Sequence, residues 1–470
     1  RFRPDIVHID EEPYNLVTAH ATHLARRVGA QPIFFAFQNI YRRYPPPFSL
    51  IERYCYSRSP VGIAGNQDAA DVLRKKGFRK PIEIIPQFGV DPEIYGDEHP
   101  DWFPMIDGVR RPPQRNSSSG WQPCMTSEGG INQIIANIRA EFDANPELNS
   151  VSIAPNDGGG YCNCQECLAL SENVGDPQEE NRSRLFWQFA NRIAREVAKT
   201  HADRIIGTLA YSYSKDPYEG LQIEPNIMPF YVTYPSVFRD EEATAERLRN
   251  VETWGDISRQ MGVYEWYFGS GYSVPEAHGE FLARGLQHAY ANGARAVYSE
   301  VYPNWGLDGW KVWVFGKLLW DPSRDWQALN DDFVTGFFAE AAGPMAEYVA
   351  LCEELGRRRV AVTDPETGRE QWYFFRDPEQ FERWPQEEID RAQALLDAAL
   401  AACTTDATRA RVRYFADSFG VTRILAGQYH AAKEALPHAD NLATIGDALS
   451  ALAEVTGPEW NLALYQRWTG

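Results

Sequence analysis

What most constrains this chain is the regular exchange of short apolar runs with segments of helix length. "DIVHI" (Asp5 to Ile9), "PIFFAFQ" (Pro32 to Gln38), "VGIAGN" (Val61 to Asn66) and "IEIIPQFGV" (Ile82 to Val90) read as strands. Helices are predicted from Asn15 to Arg27, stopped by Gly29, and from Gln67 to Lys76, stopped by Gly77. Connections of that size imply parallel strands with covered faces, and such sheets place ligands at the strands' C-terminal ends. Residues 1–95 therefore read as a small Rossmann-like α/β segment.

After the polar loop "GVRRPPQRNSSS" (Gly108 to Ser119) the alternation resumes at longer spacing. Strands are expected at Val151 to Pro155, Ile205 to Ser212, Ile227 to Tyr234, Gly262 to Tyr267 and Ala294 to Glu300, with a shorter one around Trp121 to Met125. Helices are expected between them, over Ile131 to Phe142, Arg184 to Lys199, Ala243 to Val251 and Ala277 to Ala291. Acidic and polar residues gather where these strands end, the layout of a TIM-like (β/α) barrel whose chemistry sits on its C-terminal rim. Such a barrel needs eight strands, so either it is incomplete or the first segment supplies the remainder. From Lys311 the pattern is helical: Lys311 to Leu319, Trp326 to Phe338, Pro344 to Leu355, Glu387 to Ala401, Arg409 to His430 and Thr444 to Leu452. The expected partition is 1–95, 97–340 for the barrel, and 341–470 for a helical C-terminal domain.

A formal charge of -19 repels phosphate backbones and argues against a nucleic-acid partner. No apolar run reaches the roughly 20 residues of a membrane span. The opening "RFRPDIVHID" has no initiator Met and reads as internal to something longer; neither compartment nor oligomeric state is legible. With 14 Trp, 23 Tyr and 24 Phe the chain has the flat rings that cover sugar faces, although large cores use aromatics too.

Cleavage of a glycosidic bond needs a proton donor and a second negative group. Three acids stand at expected strand ends: Asp157 after "SIAPN", Glu265 in "YEWYFGSG" and Glu300 closing "AVYSE". An apolar strand beside each acid would desolvate the carboxyl and raise its pKa. Asn156, Tyr211, Tyr213, Tyr264, Trp266, Tyr298, Asn304, Trp305 and Asp308 are candidates for holding a sugar, by hydroxyl and amide hydrogen bonds or by stacking. His278 and His288 have no ligand set near them in sequence and read as structural.

Cys162, Cys164 and Cys167 form a C-x-C-x-x-C cluster just after the glycine-rich turn. Structural zinc takes four sulfur or nitrogen ligands, and Cys124 in "WQPCMT" is the candidate fourth. A Cys164–Cys167 disulfide and unpaired structural cysteines are the competing readings. No cofactor is required by the expected chemistry.

Two resemblances follow from these stretches. "RPDIVHIDEEPYNL", "AGNQDAADVLRKKGF" and "IPQFGVDPEIY" resemble the acceptor-side domain of a family-4 glycosyltransferase, up to its hinge. The donor-binding domain of that family, with its Glu-x7-Glu motif, has no counterpart here. "EHPDWFPMIDG", "WQPCMTSEGG", "SIAPNDGGGYCNCQEC", "GVYEWYFGSG" and "YSEVYPNWGLDGWKVWVFGKLLWDPSRDWQALNDDF" resemble a bacterial domain long catalogued without a function and associated with glycoside hydrolase family 163. That resemblance implies a (β/α)8-like barrel and retaining endo-β-N-acetylglucosaminidase action on N-glycans, assisted by the substrate's acetamido group. A transferase-like piece ahead of "EHPDWF" reads as a fusion or an assembly join. The sequence thus points to a glycoside hydrolase, with a non-catalytic glycan-binding or structural remnant and a nucleotide-sugar transferase as the rivals.

Overall fold

The computed structural model describes residues 5–435 apart from 10–11, 37, 39–40, 66, 85–91, 114–119, 177–178, 234–240, 267–271, 300–304, 359–361, 364–369 and 372–377. The chain divides into two compact units, Arg1–Thr208 and Leu209–Gly470.

The first unit opens with a four-stranded parallel sheet in sequence order. Its strands are β1 (Ile6–Ile9), β2 (Gln31–Ala36), β3 (Gly62–Ala64) and β4 (Ile82–Ile84), and its helices are α1 (Leu16–Val28), α2 (Phe48–Arg58) and α3 (Gln67–Lys76). Gly29, at φ 88°, ends α1 by giving its N–H to Ala25 and Arg26 carbonyls, a left-handed cap that favours glycine. Phe34, Tyr56, Leu73 and Phe78 form the core of this sheet. Helix α2 was not expected, because the prolines before it conceal its start.

A short helix α4 (Pro92–Tyr95) precedes an antiparallel hairpin of β5 (Met105–Ile106) and β6 (Val109–Arg110). Asp107 and Gly108 both have positive φ, 51° and 75°, as a two-residue Asp-Gly turn requires. Then come α5 (Glu128–Ala144), β7 (Ser150–Ser152), the one-turn α6 (Gln165–Leu168), α7 (Ser183–Ala198) and β8 (Ile205–Ala210). β7 pairs with β8 in parallel and α5 packs on α7; Ile134 and Ile138 of α5 and Trp187 and Ile193 of α7 are buried. The segment Trp121 to Met125 is loop, contrary to expectation, and its backbone N–H groups donate to the carbonyls of Gly160, from Gln122, and Trp102, from Cys124.

The second unit carries β9 (Ile227–Thr233), α8 (Glu241–Ile257), β10 (Met261–Glu265), α9 (Gly279–Ala291) and β11 (Ala294–Ser299). β9, β10 and β11 pair in parallel, with Glu265 beside Thr233 on one side and Ser299 on the other. The helices α10 (Trp305–Trp320), α11 (Trp326–Phe338), α12 (Ala342–Arg357), α13 (Gln386–Ala402) and α14 (Asp406–Ala435) follow, around a core that includes Trp310, Tyr348, Trp384 and Phe419. The expected helix Thr444 to Leu452 lies outside the described residues.

The architecture is therefore mixed α/β with parallel sheets and a helical C-terminal region. Among the described residues no pairing closes the strands into a ring, and the first four strands keep a sheet of their own instead of completing a barrel.

Candidate functional site

In the first unit, loops bring four cysteines together. Cys124, Cys162, Cys164 and Cys167 are all buried, and their sulfurs lie within 4.8 Å of one another. From Cys124 Sγ the distances are 3.6 Å to Cys162, 3.8 Å to Cys164 and 3.9 Å to Cys167. A disulfide would need about 2.05 Å, and all seven cysteines are free, so the disulfide reading is not what the fold adopts. Four sulfurs around a tetrahedral metal at about 2.3 Å would stand about 3.8 Å apart. The cluster can coordinate a metal ion.

The surroundings supply donors to sulfur. Backbone N–H groups of Met105 and Cys164 reach Cys162 Sγ at 3.3 and 3.5 Å, and the Arg110 guanidinium at 3.4 Å. Thr126 Oγ1 stands 3.2 Å from Cys167 Sγ. Hydrogen bonds with Cys162 and Cys167, then with Arg110 and Thr126, hold the Cys124 thiol well below the ordinary thiol range. Arg110 and Thr126 were missed from sequence, although "IDGV" carries the Asp-Gly hairpin pattern that delivers Arg110 to the sulfurs.

The turn ahead of the cysteines is fastened to the loop that carries Cys124. Asn156 donates to the Trp121 carbonyl at 2.9 Å and exchanges two bonds with the Gln122 amide, while Gly120 N–H donates to the Asp157 carbonyl at 2.7 Å. Gly160, at φ 72°, lies so close that a Cβ would stand 2.1 Å from the Gly120 oxygen. This excludes any other residue without backbone movement. Asn156 is half-buried and spends its amide on the backbone, whereas the Asp157 side chain is exposed.

In the second unit, β10 ends at Glu265, which is fully buried and ion-paired with the equally buried Arg247 of α8. Burial pushes its carboxyl up to about 7 against the opposing pull of Arg247. Its Oε2 has no hydrogen-bond partner among the described residues. Side chains alternate along a strand, so Tyr264 and Trp266 occupy the other face. There their rings lie parallel at 5.8 Å, with Tyr298 of β11 edge-on to Tyr264 at 4.6 Å. Tyr264 and Trp266 are half-buried and Tyr298 is exposed. The strand end thus has a sealed ionic face and an accessible aromatic face.

The remaining predicted residues are dispersed. Glu300 and Asn304 lie outside the described residues. Tyr211 and Tyr213 are half-buried at a tight turn after β8, and Trp305 opens α10 partly exposed. Asp308 interrupts α10 with non-helical backbone and is buried against Lys311 at 2.7 Å; burial raises its pKa. Lys311 in turn donates to the Glu276 carbonyl at 2.8 Å. His278 is buried at the residue preceding α9, and His288 Nε2 sits 3.2 Å from the Leu248 carbonyl. Arg247 was missed because nothing in the "EEATAERLRN" pattern marks one arginine of that helix as buried.

Residues 86–350 match the profile of the family described as "Domain of unknown function (DUF4838)". The match spans more than half of the chain, and the protein belongs to that family. No curated protein matches it. Among solved structures, similarity is found to "Exo-beta-1,4-mannosidase Op5Man5 from Opitutaceae bacterium strain TAV5", at 11% identity and TM-score 0.27, over 63% of this chain and 52% of that one. A second similarity is to "A Glycoside Hydrolase Family 20 beta-N-Acetylglucosaminidase", at 12% identity and TM-score 0.27, over 70% and 68% of the two chains. The chain spans about half the length of the mannosidase. Similarities this loose decide neither substrate nor chemistry.

Proposed function

We propose that this protein is a glycoside hydrolase acting on an N-acetylhexosamine-containing glycan, retaining and endo-acting, with the substrate's acetamido group as internal nucleophile. The observation that carries the proposal is the aromatic face formed by Tyr264, Trp266 and Tyr298 at the C-terminal ends of parallel strands. Such ends are where α/β proteins place ligands, and stacked rings suit pyranose faces. In this reading residues 97–340 form a (β/α) barrel of the kind associated with glycoside hydrolase family 163. Residues 1–95 are a glycosyltransferase-like segment and 341–470 a helical domain.

Glu300 is the proposed proton donor. It stands two residues beyond Tyr298 in the sequence and closes the run "AVYSE". Its proton goes to the leaving oxygen as the C1–O bond breaks and the acetamido oxygen bonds to C1. Water then adds at C1, displaces the acetamido oxygen and returns a proton to Glu300. Glu265 holds Arg247 and secures α8 to β10, and Asp157 is tested separately as a stabiliser of the positive charge. The four cysteines hold a structural zinc that fixes the loops around Asn156 and Asp157; the metal supplies cross-linking and no chemistry on substrate.

The closed Glu265–Arg247 pair favours a second reading, in which the aromatic face binds glycan without cleaving it. Release of oligosaccharide from an N-glycoprotein by wild type, Glu300→Gln, Glu265→Gln and Asp157→Asn decides between them. The first reading predicts a loss of about 10²- to 10⁴-fold for Glu300→Gln, the usual weight of a general acid. Full activity in all three variants removes the assignment, and binding without turnover in wild type establishes the second reading.

A further inference from the structure

The zinc proposed for the four cysteines brings a problem of charge with it. Four thiolates around a divalent ion leave two negative charges in excess, and Cys124, Cys162, Cys164 and Cys167 are all buried. Charge is tolerated away from water only where hydrogen bonds and an opposite charge meet it.

Two neighbouring cations are committed elsewhere. Arg111 pairs with Asp107 at 3.1 Å on the surface. Arg182 pairs with Glu180 at 2.7 Å and gives its remaining nitrogens to Ser171 and Asn163. Arg110 differs: its guanidinium donates to the Phe103 carbonyl at 2.8 Å and to Cys162 Sγ at 3.4 Å, and among the described residues no carboxylate is ion-paired with it. Burial opposes the Arg110 charge, but Cys124, Cys162 and Cys164 outweigh that and raise its pKa.

Hairpin β5–β6 fixes where this charge falls. Its Asp107-Gly108 turn sets Arg110 opposite Met105. Both then reach the same sulfur, Met105 with its backbone N–H at 3.3 Å from Cys162 Sγ and Arg110 with its side chain. The Met105 carbonyl accepts from Asn163 N–H at 2.8 Å, which ties the hairpin to the cysteine loop through the backbone as well. Thr126, 3.2 Å from Cys167 Sγ, adds a hydroxyl but no charge.

We propose that Arg110 is a positioning residue of the metal centre, supplying the positive charge that lets four buried thiolates hold a divalent, thiophilic ion. This role rests on the zinc reading and deepens it, because it assigns tight metal retention to a residue outside the ligand set.

The test loads the full chain with zinc, competed against a chromophoric chelator, and with cobalt(II), read by its thiolate-to-metal charge-transfer absorption. Three variants separate charge from geometry. Arg110→Gln keeps a donor for the Phe103 carbonyl and loses the charge, Arg110→Lys keeps both, and Arg111→Gln removes the adjacent exposed cation. Without the counter-charge the sulfur lone pairs rise in energy, so Arg110→Gln should move the cobalt band to longer wavelength and weaken zinc retention by about 10- to 100-fold. Arg110→Lys and Arg111→Gln should keep the band in place and hold zinc within about threefold of wild type. The band is read on the loaded fraction, so a destabilised variant still reports. Wild-type behaviour in Arg110→Gln, a loss of affinity with no movement of the band, or an equal loss in Arg110→Lys or Arg111→Gln overturns the proposal and leaves the zinc reading standing. A wild type that takes up neither ion overturns both.

Discussion

The cysteine centre of the first unit and the Glu265–Arg247 pair of the second are both sealed clusters of polar groups, and they differ in what completes them. Glu265 has its counter-charge within the chain, on α8. The four sulfurs are like groups competing for the same positive partner, and the single guanidinium of Arg110 serves Cys162 and Cys124 from one side of the cluster. An ion pair receives its counter-charge from folding; four converging thiols call for a ligand that folding alone does not supply. That contrast is why we propose a metal at the first cluster, which can coordinate one, and a framework role for the second pair.

The contrast breaks most visibly at the metal. Replacing Cys162 or Cys167 by Ser, or stripping the protein with a strong chelator, is expected to abolish stoichiometric zinc. It should also destabilise the fold by several kcal/mol, a fraction of the roughly 10 kcal/mol or more that structural zinc sites supply. Elemental analysis and thermal melts measure both. Stoichiometric absence of metal in wild type would leave the cluster as four plain thiols.

The ion pair comes next. Arg247→Met leaves Glu265 buried without its cation and is expected to cost about 3–5 kcal/mol, whereas the double variant with Glu265→Met recovers most of that loss. Chemical denaturation of the four species gives the coupling directly. A single variant as stable as wild type would contradict the sealed pair.

A smaller effect is its pH dependence. Because burial raises the Glu265 carboxyl to about 7 from the ordinary range, the folded state binds its proton more tightly than the unfolded chain does. Stability is therefore full below the unfolded pKa and declines as pH rises through about 7. Glu265→Gln should remove this slope, which amounts to at most about 3 kcal/mol. Melting curves between pH 5 and 8 show it.

Smallest is Gly160→Ala, which forces a Cβ against the Gly120 oxygen at a left-handed backbone position and should cost about 1–3 kcal/mol. If the loop and the metal centre are one structure, the variant also weakens zinc retention.

How much of this was legible in the sequence depended on whether the determinant was local. Strand and helix positions in "DIVHI" or "GVYEWY" follow from apolar period and length, and the sulfur cluster from cysteine spacing plus one distant Cys124. Hairpin β5–β6 was overlooked although its Asp-Gly turn was readable. Burial of Arg247 was not readable, because α8 carries several charged residues and only packing selects one. The opposite orientation of Glu265 and Tyr264 follows from strand alternation, yet which face is sealed depends on the helix layer.

The most direct test of the central claim compares two leaving groups. Loss of a proton donor impairs cleavage of a poor alkoxide leaving group and spares an activated aryl glycoside, which departs without protonation. Initial rates for Glu300→Gln on an N-glycan and on a nitrophenyl N-acetylglucosaminide should show a loss of about 10²-fold or more on the glycan and a small loss on the aryl substrate. Wild-type rates on both, or the same selective loss in Glu265→Gln with Glu300→Gln unaffected, would contradict the account.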